Sequence, residues 1–188
     1  AYPVTIDPTV QNAYLKHSHS DQEDFYGRAI AIDGNTAVVG AYIEASAATT
    51  INGDASDNTA PQRGAAFVYV RSGNTWSQQA YLKASVTTAR FGSSVAISGD
   101  TIVVGAANDS TAASVAGGAY VFVRNGNTWT EEAFLSADNA DIADFFGGSG
   151  IAIDGDTIAV GADSEDSIAT GVSATGSADN SVDRSGAV

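Results

Sequence analysis

Residues 91–106 read Phe-Gly-Ser-Ser-Val-Ala-Ile-Ser-Gly-Asp-Thr-Ile-Val-Val-Gly-Ala, and this stretch decides the fold. Two short runs of β-branched and small residues flank the sequence Ser98-Gly99-Asp100. A Gly beside an Asp suits the two-residue turn of a β-hairpin, in which positive φ angles are required. Neither run shows the 3.6-residue apolar period of a helix. The stretch therefore predicts two antiparallel strands joined by a tight turn.

The same stretch occurs three times along the chain. Residues 25–41 read Phe-Tyr-Gly-Arg-Ala-Ile-Ala-Ile-Asp-Gly-Asn-Thr-Ala-Val-Val-Gly-Ala. Residues 146–162 begin with Phe-Gly and end with Ile-Ala-Ile-Asp-Gly-Asp-Thr-Ile-Ala-Val-Gly-Ala. A long segment that recurs along the chain in this way is typical of proteins built from repeated supersecondary units.

A second repeated block follows the first two copies. Residues 64–76 read Gly-Ala-Ala-Phe-Val-Tyr-Val-Arg-Ser-Gly-Asn-Thr-Trp, and residues 118–129 read Gly-Ala-Tyr-Val-Phe-Val-Arg-Asn-Gly-Asn-Thr-Trp. A matching tail comes after each Trp, as Ala80-Tyr81-Leu82 and Ala133-Phe134-Leu135, and a third tail, Ala13-Tyr14-Leu15, lies near the start. Each repeat therefore contains four short β-prone runs, which predicts one four-stranded antiparallel sheet per repeat.

The predicted fold class is all-β, a β-propeller-like array of four-stranded antiparallel blades. Repeats of this kind stack their sheets side by side, so that aromatic and β-branched side chains pack between blades. A β-sandwich or Greek key is the competing all-β arrangement. A sandwich has no need to repeat Phe-Gly, Gly-Ala and Gly-Asn-Thr-Trp at the same points of each unit, so the propeller-like array is preferred.

These motifs resemble the FG-GAP repeat family, the integrin-α-like propeller repeat, in the form common in secreted and cell-surface bacterial proteins. The resemblance implies a propeller, most often of seven blades, used for recognition or adhesion rather than catalysis. Members often bind calcium through an Asp-x-Asp-x-Asp-Gly loop between the first two strands of a blade, and this chain has only short Gly turns there. The first copy also departs from the pattern with Phe25-Tyr26-Gly27, and the third has an extra Gly after Phe146-Gly147.

The chain is expected to form one blade-repeat domain over residues 1–188, with about three blades' worth of sequence. Its predicted parts are residues 1–24, which complete a split blade, repeat 1 at 25–90, repeat 2 at 91–145 and a partial repeat 3 at 146–188. The terminal blade is thus divided between the two ends of the chain. Three blades are too few for a closed propeller, and open ends favour association. We expect self-association into a ring or a head-to-tail filament, with a fragment of a larger seven-bladed propeller as the alternative.

Composition excludes several functional classes. The chain has 22 acidic and 8 basic residues and a net charge of −14. Such a charge repels nucleic acid, and the short apolar runs give no reason to expect membrane insertion. The absence of Cys excludes a disulfide framework, a thiolate zinc site and a cysteine nucleophile. An Asp-rich, Lys-poor composition favours an extracellular or cell-surface protein, and no leader precedes Ala1, so any signal peptide is expected to have been removed.

Carboxylates in loops are the candidate metal ligands, because calcium takes six to eight oxygens. The candidates follow the third Gly-Ala pair and occupy the insertion after the first one: Asp163, Glu165, Asp166, Asp54 and Asp57. Solvated acidic loops are the alternative interpretation. His17 and His19 alternate in one segment and in principle suit a transition metal. No other cofactor is expected.

No arrangement of residues predicts catalysis. The two His residues are confined to one segment, and no Gly-x-Ser-x-Gly elbow is present. Trp76 and Trp129 suit stacking on sugar rings, but their identical repeat positions favour packing between blades. The prediction is a non-catalytic structural, adhesion or recognition protein whose partners are further copies of itself, or a cell-surface protein or glycan ligand. The alternative is a calcium-dependent, lectin-like propeller.

Overall fold

The computed structural model describes residues 13–19, 21–87, 89–168 and 181–188, and the regular structure in these ranges is entirely β. The strands are β1 (Tyr26–Asp33), β2 (Thr36–Ala41), β3 (Ala65–Ser72), β4 (Thr75–Leu82), β5 (Phe91–Ser98), β6 (Thr101–Ala106), β7 (Gly118–Asn125), β8 (Thr128–Leu135), β9 (Ile151–Asp154) and β10 (Thr157–Val160). Within the described ranges no helix has the length and hydrophobicity needed to cross a membrane.

The strands form three blades in chain order. Blade 1 has the strand order β1-β2-β3-β4, blade 2 has β5-β6-β7-β8, and blade 3 consists of the hairpin β9-β10. All strand pairs within the blades are antiparallel. An antiparallel bridge joins Ala162 to Ala187, in the place where Ala41 pairs with Ala65 in blade 1. The predicted all-β fold of propeller-like four-stranded blades is therefore confirmed, and the row of blades is open rather than closed.

The hairpin turns differ in one detail from the expectation. In the turns between the first two strands of each blade, φ is positive at Gly34, Gly99 and Gly155, at 54°, 57° and 54°. The Asn or Asp that follows each Gly does not have a positive φ. A positive φ at the first central residue alone is the pattern of a type II′ turn, which requires Gly at that position.

The irregular first copy is explained by the strand register. Tyr26 pairs with Ala41, as Phe91 pairs with Ala106 in blade 2. Tyr26, and not Phe25, therefore takes the place of the Phe in the repeat. Phe25 lies outside the sheet with 56% of its surface exposed and with φ at 51°. Each copy thus begins with an aromatic residue followed by Gly.

Blades 1 and 2 pack face to face. For each blade we call the face toward the preceding blade the leading face and the face toward the following blade the trailing face. The trailing face of blade 1 contributes Val38, Ala66, Val68, Ala80 and Leu82, and the leading face of blade 2 contributes Phe91, Val95, Ile97, Val104, Tyr120, Phe122 and Trp129. Small and aliphatic groups on one face therefore fit against large aromatic groups on the other, which gives close packing.

The same arrangement joins blade 2 to blade 3. Val103, Ala119 and Val121 on the trailing face of blade 2 pack with Val160 and with the partly buried Phe146, Ile151, Ile153 and Ile158. Alternation along each strand is what separates the two faces, because successive side chains point to opposite sides of a sheet. The hydrophobic core thus lies between the blades.

Backbone contacts between glycines set the distance between blades. A Cβ added to Gly40 would overlap the carbonyl oxygen of Gly92, and one added to Gly105 would overlap that of Gly147. Parallel bridges run alongside these contacts, from Gly64 to Phe91 and from Gly117 to Phe146. The Gly of Gly-Ala in one blade therefore receives the aromatic-Gly pair of the next blade, at a separation that admits no side chain.

Replacing one of these glycines should destabilise the fold. In the Gly105→Ala variant the new methyl group would overlap the backbone of Gly147, so we expect a loss of about 2–4 kcal/mol of unfolding free energy. Urea denaturation followed by circular dichroism measures the change. Gly150→Ala is the matched control, because a Cβ there meets no atom within 4 Å. Equal urea midpoints for the two variants would contradict the packing described above.

Candidate interaction surface

Two of the predicted calcium ligands lie in the exposed loop between β2 and β3. The Asp54 Oδ1 accepts hydrogen bonds from the Ser56 hydroxyl at 2.6 Å and from the Ser56 N–H at 2.9 Å. The Asp57 Oδ1 accepts one from the Thr59 N–H at 2.8 Å. These hydrogen bonds from Ser56 and Thr59 lower the pKa of the two carboxyls. Both side chains organise turns within their own loop.

The other three predicted ligands lie in the loop after β10 and point to different partners. Glu165 is buried and accepts from the Ser167 hydroxyl at 2.9 Å and from the Asn139 amide at 2.9 Å. The Asp163 Oδ1 accepts from the Ser149 hydroxyl at 3.1 Å, and the Asp166 Oδ1 from the Arg184 N–H at 2.6 Å. In the described part of the chain no three His, Cys, Asp or Glu side chains group closely enough to hold a metal ion. Calcium binding stays a prediction.

A buried acid recurs three residues after each Gly-Ala pair. The residues are Glu44, Asp109 and Glu165, with 3%, 0% and 3% of their surfaces exposed. In each loop the N–H of the acid donates to the carbonyl of the Ala, and the carbonyl of the acid accepts from the N–H of a later Gly. The spacing Gly-Ala-x-x-acid-x-Ser/Thr was visible in all three copies of the sequence. It marks a loop anchor that the sequence analysis missed.

The anchor in blade 1 includes a buried ion pair. The Glu44 Oε2 lies 2.9 Å from the Lys83 Nζ, and the Tyr81 hydroxyl donates to the Glu44 Oε1 at 2.9 Å. In blade 2 the Tyr120 hydroxyl donates to the Asp109 Oδ2 at 2.6 Å. Burial raises the pKa of both Tyr hydroxyls, so they remain donors at neutral pH. These carboxylates hold loops to the blades and are not available to an external ligand.

The segment before blade 1 covers part of that blade's leading face. Leu15 packs against the cluster that contains Phe67 and Tyr81. His17 is buried and stacks on Phe67 with ring centroids 4.3 Å apart, and its Nε2 lies 3.4 Å from the Asp24 Oδ2. His19 is exposed. The two His side chains therefore do not converge, and His17 belongs to the packing of the tail.

The rest of the leading face of blade 1 is open. Ile30 and Ile32 expose 67% and 63% of their surfaces. Val95 and Ile97 hold the equivalent positions in blade 2 and expose 8% and 9%, because blade 1 covers them. A Cβ at Gly27 would meet no atom within 4 Å, whereas one at the equivalent Gly92 would overlap the Ala65 carbonyl oxygen. Among the described residues no blade covers this face, which otherwise has the form of a blade-to-blade contact.

The trailing face of blade 3 is open in the same way. Ala159 is exposed, whereas Val38 and Val103 at the equivalent positions are fully buried. A Cβ at Gly161 would lie 3.6 Å from its nearest neighbour, the Gly150 carbonyl oxygen, which is ordinary van der Waals contact. The two ends of the blade row therefore present opposite halves of one repeated interface.

The Trp residues follow this pattern. Trp129 lies between blades 1 and 2 with 3% of its surface exposed, and its Nε1 donates to the Gln79 Oε1 at 2.8 Å. The guanidinium of Arg124 lies 5.0 Å from the ring centroid. Trp76 has the equivalent place on the leading face of blade 1 and is half-buried, with the Arg71 guanidinium at 5.6 Å. Packing between blades accounts for Trp129, as the repeat positions predicted.

Removing Lys83 should be costly because it leaves the Glu44 carboxylate buried without a counterion. We expect Lys83→Met to lower the unfolding free energy by about 3–5 kcal/mol, and the double variant with Glu44→Gln to recover part of that loss. Urea denaturation of the native chain, both single variants and the double variant gives the four unfolding free energies of a double-mutant cycle. Additive losses would show that the two side chains are not coupled.

Stability should fall on mild acidification through His17. Burial lowers the pKa of this His, with the nearby carboxylates Asp24, Glu44 and Asp21 opposing the shift and Lys16 adding to it. The neutral form is thus favoured in the folded state. The stabilisation is complete above the unfolded pKa of about 6.5 and is lost as pH falls below it toward the folded value. In the native chain the urea midpoint should be lower at about pH 5.5 than at about pH 7.5, and the difference should be smaller in His17→Phe. The same difference in both proteins would rule out His17 as the source.

Comparison with known proteins agrees with this geometry. An FG-GAP repeat model matches residues 9–69, 76–122 and 129–188, and the second and third matched segments start within β4 and β8 and continue into the next blade. No curated protein matches the chain. FG-GAP repeats build propeller-like domains of the recognition and adhesion type, are generally non-enzymatic, and typically occur in extracellular or cell-surface proteins. The matches cover most of the sequence, and the chain belongs to the FG-GAP repeat family.

Proposed function

We propose that this chain is a non-catalytic extracellular protein of the structural, adhesion or recognition type, and that it self-associates through its incomplete terminal blade. The observation that carries the proposal is the exposure of Ile30 and Ile32 at positions where blade 2 buries Val95 and Ile97. Ile30 and Ile32 lie two residues apart on one face of β1, and adjoining exposed apolar side chains of this kind mark a surface for contact with another protein.

The tail before blade 1 supports association through a split blade. Residues 13–27 align without a gap with residues 133–147, which run from the outer strand of blade 2 into blade 3. The correspondence extends to contacts, since the Asp21 N–H donates to the Asp24 Oδ2 at 2.8 Å and the Asp141 N–H to the Asp144 Oδ2 at 2.7 Å. This correspondence supports the proposal that the tail takes the place of the outer strand of a blade preceding blade 1.

The inner strands of that preceding blade are what a second copy would supply. Tyr14 exposes 78% of its surface, whereas Tyr81 at the equivalent position in blade 1 exposes 3%. The difference arises because Tyr81 packs on its own blade and Tyr14 has no described strand beside it. The hairpin β9-β10, with the single bridge from Ala162 to Ala187 beside it, is the set of strands that we propose a second copy supplies.

The loop carboxylates support a non-catalytic role. Paired carboxylates that act as acid and base must face a substrate. Glu44, Asp109 and Glu165 are instead buried and are hydrogen-bonded to residues of their own loops and blades. Among the described residues, the open apolar surfaces that we propose for binding are the blade faces at the two ends of the row.

Truncation tests the proposal. The whole chain should sediment as a species larger than a monomer, and deletion of residues 1–16 should yield monomers whose circular dichroism still shows the β-sheet of the central blades. The deletion removes residues 13–16, the segment that we propose takes the place of the outer strand in the split blade. Analytical ultracentrifugation over a range of concentrations gives the mass.

Deletion of residues 1–12 is the matched control, because it keeps the segment from Ala13 onward that we propose completes the split blade. This shorter deletion should associate like the whole chain. A whole chain that stays monomeric at every concentration, or a chain without residues 1–16 that assembles normally, would overturn the proposed self-association. Residues 1–12 themselves lie outside the described residues.

A further inference from the structure

We propose that the leading face of blade 1 binds the trailing face of blade 3 from a second copy, in the register that already joins blade 1 to blade 2 and blade 2 to blade 3. The inference rests on the proposed self-association and adds which faces meet and which residues touch. Its basis is continuity with an interface that occurs twice within the chain. Three kinds of contact occur in that interface, and for each of them blade 1 carries one of the two contacting groups and blade 3 carries the other, both without a partner blade among the described residues.

The first contact is between glycine backbones. Gly40 lies against Gly92, and Gly105 lies against Gly147. The next members of the series are Gly161, on the trailing side of blade 3, and Gly27, on the leading side of blade 1. The φ of +90° at Gly27 favours glycine by itself, but Gly161 is a glycine although an added Cβ there would lie 3.6 Å from its nearest neighbour. Seating Gly27 of one copy on Gly161 of another gives both positions the contact that their equivalents have.

The second contact joins the hairpin turns. The Gly99 N–H of blade 2 donates to the Asp33 Oδ2 of blade 1 at 2.6 Å, and the Gly155 N–H of blade 3 donates to the Ser98 Oγ of blade 2 at 3.2 Å. Asp154 of blade 3 holds the position of the acceptors Asp33 and Ser98, and the Gly34 N–H of blade 1 holds the position of the donors on Gly99 and Gly155. Both turns are exposed. A second copy in the same register would bring this donor to this acceptor.

The third contact involves an Arg. The Arg124 Nε donates to the Asp100 Oδ1 at 2.7 Å, and its Nη1 reaches across to the Thr36 Oγ1 of blade 1 at 3.1 Å. Arg71 holds the equivalent place in blade 1 and bonds the Asn35 Oδ1 through Nε at 3.0 Å and Nη2 at 2.8 Å. Its Nη1 is the group that, in Arg124, reaches the neighbouring blade. Thr157 is the counterpart of Thr36 on blade 3 and is exposed.

The apolar parts of the two faces are complementary as well. Ala152 and Ala159 are small and exposed on the trailing face of blade 3, and Ile30 and Ile32 project from the leading face of blade 1. Small side chains also face large ones in the contacts between blades 1 and 2 and between blades 2 and 3. Because the two surfaces differ, the contact is heterologous, so copies add head to tail into a ring or a filament.

A single methyl group tests the docking. Gly161→Ala should fold normally, because its Cβ meets only ordinary contacts within the chain. In the docked pair the same methyl would overlap the Gly27 carbonyl oxygen of the second copy, as one at Gly105 would overlap that of Gly147. We expect association at least about tenfold weaker by analytical ultracentrifugation, at an unchanged urea midpoint of the monomer.

Gly150→Ala is the control for the same chemical change in the same part of blade 3. Its Cβ has open space within the chain, and Ala29 occupies the equivalent position at the internal joint between blades 1 and 2. This variant should associate like the native chain. Equal association of Gly161→Ala and the native chain would overturn the docking register.

Crosslinking gives a positive test, because the chain contains no Cys. An equimolar mixture of the single variants Asp154→Cys and Asn35→Cys, treated with a short bifunctional maleimide, should give a dimer band on denaturing gels. The double variant Asp33→Cys with Asp100→Cys joins the equivalent turns within one chain and serves as the positive control.

The outcomes separate the inference from the proposed function. Association together with a crosslink, and loss of both in Gly161→Ala, supports the inference. Association without a crosslink, when the internal control pair reacts, overturns the inference and leaves self-association standing. A chain that does not associate overturns both.

Discussion

The structure depends on how closely two backbones approach between neighbouring blades. Gly40 and Gly105 lie against the carbonyl groups of Gly92 and Gly147 without room for a methyl group, and this contact sets the spacing for everything around it. At that spacing the small side chains of one trailing face fill the gaps between the aromatic rings of the next leading face. The two most conspicuous motifs of the repeat, aromatic-Gly and Gly-Ala, are therefore the two halves of one joint. A repeat protein of this kind is held together by its interfaces as much as by its sheets.

Buried polar side chains hold in place the loop that follows the second strand of each blade. Each copy places one carboxylate under its loop, where hydroxyl, amide or amine groups satisfy it. A buried charge without such partners would destabilise the protein, so the surrounding donors are as necessary as the acid. The strongly acidic surface and these few buried acids thus have different roles. The surface charge keeps like molecules soluble, while the buried acids order loops of unequal length.

The sequence was sufficient for the fold class, because alternating runs and Gly turns repeat in the same order in each copy. It also predicted that Trp129 packs between blades. The position of Tyr26 was readable from the sequence, because a gapless alignment back from Gly34 and Gly99 places Tyr26 opposite Phe91, and the register with Ala41 agrees. Phe25 was preferred only because its letter matched the motif better. The buried acids were missed because charge patterns alone do not separate a solvated Asp from one that a loop covers. The calcium candidates were grouped by closeness in sequence, whereas the structure directs Asp163, Glu165 and Asp166 to different partners.

The ion pair beneath the first loop has a practical consequence for chemical labelling. Lys16 and Lys83 are the only lysines of the chain, and the Lys83 amine is buried against Glu44. Lys16 is exposed on the segment that lies over blade 1. Among side chains, amine-directed reagents such as succinimidyl esters will therefore modify Lys16, beside the face where we expect blades to meet, together with any free α-amino group. With the α-amino group blocked, biotin or a fluorophore attached in this way reports on that face, and immobilisation through Lys16 on a sensor surface would obstruct it.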